Sequence, residues 1–310
     1  MKSNSNLIRN LAILFGLVII AIVVVQRSGS INGIWDVLKS TRLDRLLLGV
    51  LVFLLTFVLS GLNYLLLAKT PQRFGNLIAV QAAGGFANKL MPAGLGSMTL
   101  SARYLLHHGH NVSQAVAVAS TNNMIGVFGH LILLAFAMPS LTQGPLPITV
   151  NNSINAYHLL IIGSVFSLGI FIIFKNWGKK LVRIIKQSIK QIREYQKQPG
   201  TLFIALIISI CITGAYSVIL QACVQAVGTH ILPSEALLAI SAGLMGTSVM
   251  PTPGGAGGAE AGIALVLSGF GLPVTLAISS ALIYRLLTFW LPFLPGFFVF
   301  EWLQLKRQLF

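Results

Sequence analysis

Two opposite charges stand inside apolar sequence in the C-terminal half of the chain. Glu260 lies in the stretch TSVMPTPGGAGGAEAGIAL, Thr247 to Leu265, and Arg285 lies within the apolar run 273–299. A charge held at the middle of a membrane helix costs ~2.5–3.5 kcal/mol on insertion scales, so an intramembrane carboxylate is a functional-site hypothesis by default. That cost predicts that Glu260 and Arg285 pair. The pair could be a structural lock between two helices, or a gate or headgroup site. Just ahead of Glu260 stand Pro251, Pro253, Gly254, Gly255, Gly257 and Gly258. Proline removes a backbone donor and each glycine costs a helix about 1 kcal/mol relative to alanine. In lipid, a backbone broken in this way survives only where protein or a water-filled cavity covers it.

A second constellation precedes it. Asn88, Lys89 and Arg103 flank Pro92, Gly94 and Gly96. Two cations beside a broken helix suit a phosphate oxygen, which arginine can hold bidentately, and free half-helix N-termini attract anions. The bland alternative is that Lys89 and Arg103 snorkel to the interface. On the following apolar run, Asn123 is a candidate substrate contact. It shares a face with His130, and such polar residues more often join helices by hydrogen bonds. His107, His108 and His110 have no Cys, Asp or Glu nearby to complete a metal site. Asp36 and Asp44 have no nucleophile motif beside them, and no Walker-type sequence is present. Neither an enzyme, a metal nor a cofactor is expected.

These residues need elements to carry them. The 310 residues are 55% hydrophobic and 9% charged, against about 25% charged in a soluble domain. The composition predicts an all-α membrane protein without a soluble catalytic domain. Full spans are expected at 7–25, 46–68, 115–138, 157–174, 201–227 and 273–299. The runs 77–106 and 235–271 are interrupted by proline and glycine and read as broken, re-entrant helical hairpins. The fold expected is therefore about six full transmembrane helices plus two broken hairpins. Cys211 and Cys223, on one expected helix, would sit roughly 18 Å apart in rise, too far to bridge.

The net charge of +15 would suggest nucleic acid in a soluble protein. Here the cations fall mainly in connections, so they read as topology signals and nucleic-acid binding is not expected. Residues 139–156 carry no Lys or Arg and are expected outside, whereas 175–200 carry eight and are expected inside. Both termini are expected to be cytoplasmic, in a multi-pass cell-membrane protein. Span, broken pair, span recurs in 46–138 and 201–299. With the re-entrant choice the two halves run in opposite senses, as an inverted repeat within one integral domain, 1–310. Between them, residues 175–198 read as an amphipathic basic helix on the cytoplasmic leaflet.

The runs NKLMPAGLGSMTLSARYLL (Asn88 to Leu106), PTPGGAGGAEAGIAL (Pro251 to Leu265) and YRLLTFWLPFLPG (Tyr284 to Gly296) resemble the lysylphosphatidylglycerol synthase transmembrane-region family. That family includes the flippase part of bacterial aminoacyl-phospholipid synthases and stand-alone membrane proteins. Where many members carry a Glu beside the first Gly motif, this chain has Ser97. The resemblance implies handling of a phospholipid or lipid-linked substrate, with flipping as the best-known activity. It does not imply aminoacyl transfer, because the synthase domain has no counterpart in these residues. The expectation is a flippase-like transporter that is not ATP-driven and has membrane lipids as its partners. Two alternatives stay open: a scaffold or accessory protein presenting lipid to a separate transferase, and a membrane-embedded enzyme using Glu260.

Overall fold

The computed structural model describes residues 39–90, 95–139, 199–250 and 252–309, and every regular element among them is helical. Helix α1 (Leu43–Leu67) is followed by α2 (Phe74–Leu90), α3 (Leu95–His107) and α4 (Val112–Ala137). Then come α5 (Pro199–Ala226), α6 (Pro233–Val249), α7 (Gly258–Gly269), α8 (Val274–Arg285) and α9 (Phe293–Leu305). A π-helical turn, Leu286–Trp290, joins the last two.

Four of these stretches are long and apolar enough to cross a bilayer: Leu43–Leu67, Val112–Ala137, Pro199–Ala226 and Val274–Leu305. The shortest has 25 residues, which at 1.5 Å per residue exceeds a hydrocarbon core of ~30 Å. Their outward apolar side chains, such as Leu47, Leu51, Phe128, Leu131 and Phe203, are exposed. In water these would be a liability, but in lipid they are the solvated face. The chain is an all-α membrane protein. The four stretches coincide with the spans expected at 46–68, 115–138, 201–227 and 273–299. The last continues to Leu305 and so takes in Glu301. The spans expected at 7–25 and 157–174, the basic helix at 175–198, and Pro92, Gly94 and Pro251 lie outside the described residues.

The runs 77–106 and 235–271 each form two helices, α2 with α3 and α6 with α7. In the second pair the small residues let backbones meet. A β-carbon on Gly258 would strike the Gly246 carbonyl, and one on Gly262 would strike the carbonyl of Ala242. Contact through glycine of this kind is how membrane helices approach closely without a hydrophobic driving force.

The described residues gather into two compact units. One comprises those of Met1–Leu55, Gly85–Gly96 and Gly214–Leu294, and the other those of Thr56–Gly84, Ser97–Thr213 and Pro295–Phe310. In the first unit, Ile219, Leu220, Leu237, Ile263, Leu267 and Ile283 are buried. Gly49 of α1 there faces the Leu287 side chain, and the Arg42 N–H donates to the Ala226 carbonyl at 2.9 Å. The second unit has a core around Tyr64, Leu67, Leu77, Tyr104, Leu105 and Leu303. Two buried polar pairs join its helices: Asn63 Nδ2 donates to Ser209 Oγ (2.9 Å) and Gln81 Nε2 to Ser101 Oγ (3.2 Å).

Candidate functional site

The site grows from the break between α6 and α7. Helix α6 stops at Val249, where the Met250 N–H still reaches the Gly246 carbonyl at 3.1 Å. Pro253–Gly255 then makes a single 3-10 turn, closed by the Gly255 N–H on the Thr252 carbonyl at 2.9 Å. Gly254, Gly255 and Gly257 have φ of +63°, +65° and +90°, which residues with a β-carbon rarely adopt. The glycines are therefore what lets the chain turn here, and α7 starts immediately afterwards at Gly258.

Glu260 sits in the first turn of α7, and both its oxygens are engaged. Oε2 accepts the Gly257 N–H at 2.7 Å, and Oε1 accepts Arg285 Nε–H at 2.9 Å. The first bond is the returning arm of a capping box, satisfying an orphan donor at the helix start, where negative charge is also favoured by the helix dipole. Arg285 Nη2 donates in turn to the Gly254 carbonyl at 2.9 Å. The guanidinium thus ties the left-handed turn to the helix α8 that carries it. The two side chains are 12% and 18% exposed, dry enough for charge-assisted bonds to count.

The residues after Arg285 hold it in place. Pro292 has no N–H and its ring clashes with a continuing α-helix. The chain answers with the π turn, in which the Leu291 N–H bonds to the Leu286 carbonyl at 2.7 Å. Such turns are frequent at functional sites. Phe289, one helical turn beyond Arg285, brings its ring centroid to 4.2 Å from the guanidinium carbon. The other side of the arrangement is crowded too, since a β-carbon on Gly254 would run into the Phe289 ring.

A second cation reaches the same ring. Lys89, in the last turn of α2, is buried, with its Nζ 5.2 Å from the Phe289 centroid and 5.6 Å from that of Phe293. Nζ has no hydrogen-bond acceptor among the described residues. Phe86, on the same helix, packs edge-on against Phe293 at 5.2 Å between centroids. The arrangement therefore brings Lys89, Glu260 and Arg285 around one aromatic wall, two cations to one carboxylate.

The remaining candidates are placed differently. Asn88 neighbours Lys89 and is half-buried, while Arg103 and Asn123 are exposed and belong to the other unit. Gly96 packs on the Ala87 backbone at the first break. The histidines turn to local partners. His110 Nε2 accepts the Lys69 N–H at 3.0 Å, with Nδ1 3.0 Å from Thr70 Oγ1. The His108 ring nitrogens lie 2.7 Å from the Tyr104 carbonyl and 2.8 Å from Gln308 Oε1.

Three parts of the site were not anticipated from the sequence: the Gly254 carbonyl, the Gly257 N–H and Phe289. The spacing of Phe289 to Arg285, one helical turn, was the available signal. The Gly254 bond had none.

The family model for the lysylphosphatidylglycerol synthase TM region matches residues 11–296. No curated protein matches the chain by sequence. The matched stretch takes in both interrupted runs, Glu260, Arg285 and the π turn, and on it the chain belongs to the lysylphosphatidylglycerol synthase TM region family, membrane proteins linked to lipid handling.

Proposed function

We propose that the protein is a flippase-like transporter that moves a phospholipid or lipid-linked headgroup across the bilayer without ATP. The observation that carries this reading is the Arg285 clasp, which bonds at once to Glu260 and to the carbonyl of Gly254 in a broken backbone. In a chain solvated by lipid, that break and those charges persist only under protein cover or in a hydrated cavity. A polar passage for a headgroup requires such groups, because each must find protein partners when the passage is closed and substrate or water when it opens. Movement is downhill or coupled to an ion gradient. The chain is not an enzyme in this reading. It sits in the cell membrane with both termini cytoplasmic, and the two broken hairpins are related as an inverted repeat.

Reconstitution tests it. Purified protein in liposomes is given fluorescent phospholipids and a fluorescent lipid-linked sugar, beside Glu260→Gln and Arg285→Ala. Flipping by the wild type that is lost in folded variants supports transport through this site. An intact wild type that moves neither probe removes the reading in favour of a scaffold that presents lipid to a transferase. Topology has its own test. Cysteines introduced at Ser40 and Asn76 should label from outside and inside respectively, and the reverse pattern would end the inverted repeat.

A further inference from the structure

We propose that Lys89 and Arg285 form an anion site that takes one monoanionic phosphate group beside the Phe289 ring. This deepens the transport reading and rests on it only for the claim that the bound group is cargo.

The starting point is a buried ammonium without a described acceptor. Lys89 is 6% exposed, and its Nζ has no acceptor among the described residues. The rings of Phe289 and Phe293 attract the charge through their faces. An aromatic face takes up none of the three N–H donors properly, and a buried donor left unmade is a standing cost. Arg285 lies on the same ring. Its charge can be no further from that of Lys89 than the two ring distances combined, which is within the ~10 Å Debye length at 0.1 M salt. Its bonds to Glu260 and Gly254 engage two of the five donors of a guanidinium.

Charge decides the class of ligand. Glu260 accepts from Arg285 and from the Gly257 N–H, and Lys89 Nζ makes no bond to it. Lys89 and Arg285 against Glu260 leave one positive charge over, which a single negative charge cancels. Lys89 also sits in the last turn of α2, so the helix dipole holds the cation in place without neutralising it. A phosphodiester carries one charge and several acceptor oxygens, matching the open ammonium donors. Either a lipid headgroup or a free phosphate could bring that group.

The test uses the full-length protein in a nonionic detergent free of added phospholipid. Trp290, one of four tryptophans in the chain, stands 5.0 Å from Phe289 between ring centroids, so a change in tryptophan fluorescence serves as the reporter. The probes are short-chain phosphatidylglycerol, diacylglycerol of the same chain length, and inorganic phosphate. Phosphatidylglycerol should bind at least about tenfold more tightly than the diacylglycerol, and Lys89→Met should lose about tenfold of that affinity while Lys89→Arg keeps most of it. Phosphate that binds as tightly as the lipid, with the same dependence on Lys89, keeps the anion site and makes free phosphate its ligand. Equal binding of phosphatidylglycerol and diacylglycerol to the wild type overturns the inference and needs no variant. So does a folded Lys89→Met, or a folded Lys89→Gln, that binds phosphatidylglycerol like the wild type. Binding that depends on Lys89 in a protein that flips nothing would leave the anion site standing and remove transport.

Discussion

The two interrupted helix pairs handle charge in opposite ways. The second, α6 with α7, closes its break with a carboxylate and a guanidinium, both bonded to backbone as well as to each other. The first, α2 with α3, has no described carboxylate at its break. Beyond the break stands the neutral Ser97, and Lys89 is buried with no hydrogen-bond acceptor among the described residues. Along α3 the first pair is held by neutral devices: Gly84 against Ser97, Gln81 on Ser101 and, at its exit, His110 on the Lys69 N–H. One hairpin is internally neutralised and the other carries an open cation. The first kind is a fastening, and the second is a place that asks for a ligand.

The largest effect that tests this contrast comes from Glu260→Ala. The change strands the guanidinium of Arg285 in a partly buried site and frees the Gly257 N–H at the start of α7. Breaking a buried pair by deleting one partner costs about 3–5 kcal/mol. Thermal unfolding in detergent should show that loss, and Glu260→Ala with Arg285→Ala should be less unstable than the two single effects added. Additive single effects would mean that the clasp is not a coupled unit.

Next in size is the backbone contact. Gly258→Ala drives a methyl into the Gly246 carbonyl and the Met250 side chain. Overpacking of this kind costs roughly 1–3 kcal/mol. Gly84→Ala in the first pair meets the Ser97 hydroxyl at 2.6 Å, an end that can rotate away, and the rest of the serine at 2.9–3.0 Å. It should cost less in the same unfolding assay. The reverse order would show that the first pair is the more tightly fitted one.

The type of physics involved decides how much of this was legible in the sequence. The break at Pro251 to Gly258 and the Glu260–Arg285 pair could be read because lipid makes unpaired charges and unpaired backbone expensive, and only these residues could compensate each other. The long spans were legible for the same reason. The extension of the last one to Leu305 was not, because Glu301 breaks the apolar run just after residue 299. Lys89 and Arg103 looked alike, as cations beside a Pro/Gly break. Only packing separates them, with Lys89 buried among aromatic rings and Arg103 exposed. Hydrogen bonds to a carbonyl such as that of Gly254 leave no mark in residue types, since every residue has one.

A smaller effect concerns the exit of the first pair. Accepting the Lys69 N–H requires an unprotonated Nε2 on His110, with its proton on Nδ1 toward Thr70. Burial, then the charges of Lys69 and His108, push the imidazole below its usual 6.5. A base with a depressed folded value stabilises the protein fully above the unfolded value, and that stability is lost as pH falls through the folded one. Thermal stability should therefore drop on acidification below 6.5. His110→Ala should remove this pH dependence, together with a bond worth ~0.5–1.5 kcal/mol. An unchanged pH profile in that variant would assign the acid sensitivity elsewhere.

The smallest expected change sharpens the comparison most. Lys89→Met removes a cation that has no acceptor among the described residues, so it strands no described partner. Methionine fills nearly the same volume, and its sulfur makes favourable contacts with rings such as those of Phe289 and Phe293. Stability without added phospholipid should stay within about 1 kcal/mol of the wild type or rise, because the desolvation cost of the ammonium disappears. Arg285→Met in the same assay should be clearly destabilised, since it strands Glu260. If Lys89→Met fell as far as Glu260→Ala, Lys89 would have a partner in the resting protein. The first hairpin would then be neutralised like the second, and the contrast between fastening and open site would be gone.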